Sequence, residues 1–202
     1  VDPRKERTIA ALLQAADEIF RERPVDEVTV EEIAERAGVA VGSLYNHFGS
    51  KAGLHAAVVE RALRVDREHM DRAYAQGRTP IEQIHAAAEE YLAFYLANPD
   101  YFRMLAFPRE PGQYAAGREL SERLAASVAE QNARLVRALR EGVEAGELRD
   151  VDPEEVATVL WAAWNGIISL GWRPDALRCD EEQLRRLLTA ATEIAANGLL
   201  VS

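Results

Sequence analysis

Apolar residues recur along nearly the whole chain at intervals of three and four, the period of one helical face. Ile9, Leu12, Leu13, Ala16, Ile19 and Phe20 share such a face over about 4–22, and Pro24 stops that helix. Thr29 and Glu32 form a capping box that opens a short helix with Ile33, Ala34 and Ala37 turned inward, and Gly38 closes it. A second short helix follows over about 40–47. Ser50 can cap the next, roughly 51–74, where Leu54, Val58, Ala62 and Val65 keep the spacing. After the break "AQGRT", Thr79, Pro80 and Glu82 signal another start, and that helix ends near Asn98-Pro99. A short segment at 100–107 leads into the Pro/Gly-rich "PREPGQYAAG", then a long helix spans about 117–145. Asp152, Pro153 and Glu155 repeat the capping pattern ahead of a helix at 153–172, and Asp180 with Gln183 does so once more. No segment alternates as a strand does, and there is no internal repeat. The expectation is an all-α fold of about nine helices with a boundary near 75.

Composition narrows the class. The 202 residues are 48% hydrophobic and 29% charged, a globular balance. No apolar run approaches the length of a transmembrane helix, and the first twenty residues lack the apolar stretch of a signal peptide. Cys179 is the single cysteine, which excludes an internal disulfide framework. These features read as a soluble, cytoplasmic chain with no membrane partner. The formal net charge is -10, but residues 1–72 contribute only -3 of it, so an N-terminal surface for phosphate is permitted.

The two short helices, joined at Gly38, have the layout of a helix-turn-helix whose second helix enters a major groove. Ile33, Ala34, Val39 and Leu44 would hold the pair together, leaving Val41, Gly42, Ser43, Tyr45, Asn46 and His47 outward or at the edge; Phe48 reads as core. The stretch "TVEEIAERAGVAVGSLYNHFGSKAGL" resembles the TetR family of bacterial transcription regulators. It matches that family's T-x-x-x-I-A-x-x-A-G-V, L-Y-x-H-F and S-K-x-x-L elements, and the helical layout agrees over the rest of the chain. The resemblance implies base or nearby backbone contacts from Val41, Gly42, Ser43, Tyr45 and Asn46, and phosphate contacts from Tyr45, His47 and Lys51, with Thr29 in the same DNA-facing set. Arg4, Lys5 and Arg7, before the first helix, would form an arm. Hydroxyls and an ammonium suit phosphate oxygens, and the Asn46 amide suits adenine. Ala52 and Gly53 depart from the family, which often places acids there. Glu31 stands where some members touch bases, and here it reads as solvated.

On a helical wheel of 153–172, Val156, Val159, Leu160, Ala163 and Ile167 share one side and Trp161, Asn165, Ile168 and Trp172 the other. A helix apolar on two sides needs two partners. The last helix adds Leu184, Leu187, Leu188, Ala191, Ala195 and Gly198. The resemblance implies that these two helices form a four-helix homodimer interface. Candidates to line an effector cavity are His69, His85, Tyr91, Phe94, Tyr95, Phe102, Met104, Phe107, Tyr114, Trp161, Trp164 and Asn165. Such a set suits a small apolar or aromatic molecule, with Asn165 as its polar anchor. The same aromatics also fit a plain core.

No metal-ligand spacing, cofactor motif or nucleophile-base pair occurs, so no cofactor and no catalysis are expected. The organisation expected is a helix-turn-helix domain at 1–50, a connecting helix at 51–75 and a ligand-binding and dimerisation domain at 76–202. The function expected is a repressor released from a near-palindromic double-stranded operator by a small molecule. Two alternatives stay open: a binder or enzyme that keeps the scaffold without DNA, and a regulator that activates or is co-repressed.

Overall fold

The computed structural model describes residues 2–106 and 117–201. The candidates Phe107 and Tyr114, and the Met104 side chain, lie outside what is described. Among the described residues there are nine α-helices and no strand: α1 Pro3–Glu22, α2 Val30–Ala37, α3 Val41–Phe48, α4 Lys51–Ala73, α5 Pro80–Ala97, α6 Pro99–Ala106, α7 Gly117–Glu144, α8 Pro153–Ser169 and α9 Glu181–Leu199. Chain contacts separate them into two units. One contains the described residues to Arg64 with 117–124; the other contains Val65–Ala106 and the residues from Ala125 onward.

In the first unit, Leu12, Ala15, Ala16 and Ile19 of α1 are buried with Ile33 and Ala34 of α2, Leu44 of α3 and Leu54 and Val58 of α4. α1 packs on α2, and α2 on α3. The buried Asp17 accepts hydrogen bonds from Arg21 of its own helix and from Arg61 of α4 at 2.9 Å, so a carboxylate inside the unit has donors from two helices. His55 of α4 packs edge-on against Phe20 of α1, with ring centres 5.3 Å apart.

In the second unit, α9 packs against α5 and α8. Ile84, Ala88 and Leu92 of α5, Leu160, Trp164 and Ile168 of α8, and Leu184, Leu188 and Ala196 of α9 are buried. The Trp164 indole N–H donates to Thr192 Oγ1 at 3.0 Å, and that hydroxyl donates to the Leu188 carbonyl. A buried tryptophan therefore brings its polar edge to a partner. Gly171 lies against the Tyr95 hydroxyl, where a β-carbon would overlap it.

Several expected starts and stops appear as side-chain caps. Thr29, Thr79 and Asp180 each form a reciprocal box with the residue three places on. Asp152 accepts from the amides of Glu154 and Glu155, without a reciprocal bond from Glu155. Gly38 ends α2 at φ 68°, a left-handed value that favours glycine. Some expectations need correction. Arg4, Lys5 and Arg7 are in the first turns of α1 and not ahead of it, because Asp2 caps the helix and Pro3 opens it. The helix expected through 172 ends at Ser169, and Leu170–Trp172 tightens into a 3₁₀ turn. The wheel's first side is divided: Leu160 is core, whereas Val159 is 66% exposed. Leu184 and Leu188 are likewise core, whereas Leu187 faces outward. Phe48 is only half-buried.

Asp180→Ala removes the side-chain acceptor of the capping box at the start of α9 and leaves only the bond from its own backbone amide to Gln183 Oε1. The expected loss is about 1 kcal/mol, read as a fall of about 2–4 °C in the thermal unfolding midpoint.

Candidate DNA-binding face and effector cavity

α3 is a short helix with one fully buried side chain. Leu44 is its anchor, and Gly42, Tyr45 and Asn46 stand exposed, Tyr45 at 51%. Val41, Ser43 and His47 are half-buried, and the His47 ring meets Phe48 edge-on. A β-carbon on Gly42 would meet nothing within 4 Å, so this face is open around the backbone itself. The exposed hydroxyl of Tyr45 and amide of Asn46 are groups that can meet phosphate oxygens and base edges. Arg4 and Lys5 are exposed on α1.

Two candidates in this set have internal partners. The Thr29 hydroxyl accepts from the Glu32 amide and donates to the Glu32 carboxylate, which also receives Arg23 at 2.7 Å. The Thr29 backbone amide first, then Arg23, hold the Glu32 carboxyl down at about 2. The Lys51 ammonium donates to the carbonyls of Val25 at 2.8 Å and Val28 at 2.7 Å. It fastens the start of α4 to the segment entering α2. A cation at a helix N-terminus is otherwise disfavoured, so these carbonyls account for its position. Gly53 has a steric explanation: a β-carbon there would overlap the Phe48 carbonyl.

The second unit contains a cavity formed by α4, α5, α6, α7 and α8. Asp66, Met70 and Tyr74 of α4 line it with Ala87, Tyr91, Leu105, Val128, Gln131, Asn132, Leu135, Trp161 and Trp164. Its room for water-sized centres is ≈ 40 Å³, several times the roughly 10–15 Å³ that one water needs. A drug-sized molecule would have to displace side chains, and Met70 is the flexible one among them.

Of the sequence candidates, Tyr91, Trp161 and Trp164 line this cavity. Asn165 lies behind Tyr91: its Oδ1 accepts from the Tyr91 hydroxyl at 2.9 Å, and its Nδ2 is buried without a partner. Phe102 packs on Tyr91 and Tyr95 with ring centres 4.9 and 5.2 Å away, and Tyr95 meets Trp172, so Phe102 and Tyr95 belong to an adjoining aromatic cluster. His69 is 2.6 Å from Glu90, beside Arg72 and the Phe94 ring. His85 lines a different hollow, with Ala88, Glu89 and Leu92 of α5 and Arg185, Leu188, Thr189 and Thr192 of α9. The reason is helical phase: six residues separate His85 from Tyr91 and turn them to different faces of α5. His69 and His85 are therefore not brought to the cavity.

Sequence reasoning missed Asp66 and Gln131. Asp66 is 3% exposed, and burial pushes its carboxyl up to about 7 against the nearby charges of Arg134 and Arg67. The Gln131 amide adjoins that carboxyl and helps its charged form, yet both of its ends are buried with no partner at ordinary hydrogen-bond distance. A signal was present. Asp66 interrupts the spacing Val58, Ala62, Met70, and Gln131 interrupts Leu124, Val128, Leu135. Among the described residues no group of His, Cys, Asp and Glu is arranged to hold a metal, and no helix is long and apolar enough to cross a membrane.

An exposed recognition helix on a small helical unit, followed by a helical unit with a lined cavity, defines a helix-turn-helix transcription regulator. The description "Bacterial regulatory proteins, tetR family" matches residues 12–58, and "Tetracyclin repressor-like, C-terminal domain" matches residues 84–194. The chain belongs to the TetR family. The activator FasR of Mycolicibacterium smegmatis is 33% identical over 110 residues, 51% of this chain and 47% of FasR, so the chain spans about half the length of that relative. A TetR/AcrR-family regulator from Thermobifida fusca superimposes with a TM-score of 0.74 at 25% identity, covering 98% of each chain. SmeT of Stenotrophomonas maltophilia, solved as a complex with triclosan, shares the fold with a TM-score of 0.74 at 24% identity, over 96% of this chain and 92% of SmeT.

Lys51→Met removes two ammonium–carbonyl bonds, each worth about 1.5–3 kcal/mol. It should lower the chemical-denaturation midpoint, whereas Asn46→Ala should leave that midpoint in place. Equal midpoints for both variants would refute the clamp.

Asp66 gives a pH-dependent test. The folded chain keeps its proton to about pH 7, and the ordinary value is 3.8. This group's contribution to stability is full below 3.8 and is lost as the pH rises through 7. Asp66→Asn should match the parent's unfolding free energy near pH 4 and exceed it at pH 8, by up to about 4 kcal/mol. A constant difference across that range would contradict the buried-acid assignment.

Proposed function

We propose that the chain is a homodimeric repressor that leaves a near-palindromic operator when a small apolar or aromatic molecule fills the α4–α8 cavity. The observation that carries the DNA half is α3, which buries Leu44 and leaves Gly42, Tyr45 and Asn46 open. Val41 and Ser43 lie at the edge of the same surface, with His47 beyond them, and Arg4 and Lys5 would reach the phosphate backbone. Lys51 and Thr29 support the reading frame of α2 and α3 through their internal bonds, and act on DNA through position more than contact.

The dimer reading is supported by an outward apolar face. Val159, Ala162, Ala163 and Gly166 of α8 are exposed, as are Leu187, Ala190, Ile194 and Gly198 of α9, with Ile194 at 75%. Apolar patches of this kind on a folded chain mark association, and the open space at Gly166 and Gly198 allows close helix approach. A two-fold pair would set its α3 helices about one DNA turn apart, ~34–36 Å.

α4 supplies Leu54 and Val58 to the core of the first unit and Asp66, Met70 and Tyr74 to the cavity of the second. It is the element through which filling the cavity would alter α3. SmeT binding triclosan supports a small aromatic effector by analogy of fold. FasR, an activator by name, marks the opposite direction of control as the competing outcome. Reporter expression with and without the protein decides between them.

The test is fluorescence anisotropy with DNA from upstream of the coding region, with oligomeric state read by sedimentation. Affinity should fall steeply with salt, and Tyr45→Ala should weaken it by about tenfold or more. Ile194→Arg should give a monomer that no longer binds. A monomeric parent chain, or DNA affinity unmoved by Tyr45→Ala, would sink the reading.

A further inference from the structure

Asp66 is an acid without a committed counter-ion, in a cavity walled by aromatic rings. Arg134 of α7, whose charge acts on it, donates to Asp71 at 2.6 Å and to Glu130 at 3.2 Å. Arg67 lies on Asp66's own helix, Tyr91 faces it from α5 and the Gln131 amide adjoins it from α7, so Arg67, Arg134, Glu130, Tyr91 and Gln131 make up its electrostatic surroundings. Around the cavity, the Gln131 amide and Asn165 Nδ2 are buried with no partner at ordinary hydrogen-bond distance. A buried polar group without a partner costs free energy that a well-placed ligand recovers.

Ligand charge discriminates sharply at such a site. A carboxylate would lie beside a like charge and gain only the amide N–H groups. A neutral aromatic would fill space and leave Asp66 as it is. An ammonium gains Asp66 as its ion partner, Gln131 Oε1 as a further acceptor, and the faces of Tyr91, Trp161 and Trp164 for cation–π attraction. We infer that the effector is a lipophilic aromatic amine, bound as its cation against Asp66 with its apolar body among Tyr91, Trp161 and Trp164. This assignment rests on reading the cavity as the effector site. Near neutral pH the carboxyl is partly protonated, since burial pushes it up to about 7. An arriving ammonium draws that proton off to the buffer.

Three probes of one shape separate the possibilities: naphthylethylamine, naphthylethanol and naphthylacetate, titrated calorimetrically into the full chain at neutral pH. The amine should bind about tenfold or more tighter than the alcohol, with the acetate weakest. Repeating the amine titration in buffers of different ionisation enthalpy should show proton release, absent for the alcohol. Asp66→Asn should bring the amine within about threefold of the alcohol; should that variant not fold, the parent's ranking and proton release still decide. An alcohol or acetate that equals the amine overturns the assignment, as does an amine preference that survives Asp66→Asn. Binding of none of the three overturns it together with the cavity reading. Amine binding that leaves DNA affinity unchanged overturns the regulatory reading alone, and the charge preference stands.

Discussion

An all-helical chain depends on where its helices begin, because the first residue of a helix sets the phase of every side chain after it. The first four amides of each helix have no partner inside it, and a side chain placed to accept from them selects one start over its neighbours. Asp2, Thr29, Thr79, Asp152 and Asp180 do this here. A shift of α5 by one residue would rotate Tyr91 about 100° away from the cavity. It would turn Ile84 and Leu92 out of the core at the same time. Proline at the first position of α1, α5 and α8 reinforces the choice, since it needs no amide partner there.

This is why the fold was largely legible in the sequence. A cap is a local event, and Thr29 with Glu32 or Asp180 with Gln183 states it within four residues. The helix-turn-helix was legible for a similar reason: Ile33, Ala34, Gly38 and Leu44 lie close together in the chain, and their spacing carries the geometry. The cavity of the second unit was not. Whether an aromatic lines a space or packs against a neighbour depends on which helices converge on it. Tyr91 and Phe102 are equivalent in composition, and only α8 arriving with Trp161 and Trp164 distinguishes them. His69 illustrates the same limit, because Glu90, twenty-one residues on, takes its ring nitrogen. Lys51 shows a motif residue with two possible uses: its family position points to phosphate, and its ammonium sits on two carbonyls.

The cavity departs from the economy of the rest of the second unit. The Trp164 indole, buried in the same unit, has its partner. Around the cavity a buried carboxyl, Asp66, adjoins an amide, Gln131, that has no partner at ordinary hydrogen-bond distance. An apolar residue at either position would continue its helix's stripe and relieve the cost, so the cluster is a place where packing alone does not account for the sequence.

The Lys51 bonds have a practical consequence. The chain carries two lysines, Lys5 exposed in the first turn of α1 and Lys51 with its ammonium on two carbonyls. An amine-reactive reagent meets Lys5 as an ordinary surface amine, and meets Lys51 more slowly, because its ammonium must first leave the carbonyls of Val25 and Val28 ahead of α2. The ratio of the two acylation rates, read by mass spectrometry, is therefore a built-in gauge of local opening in the DNA-binding unit.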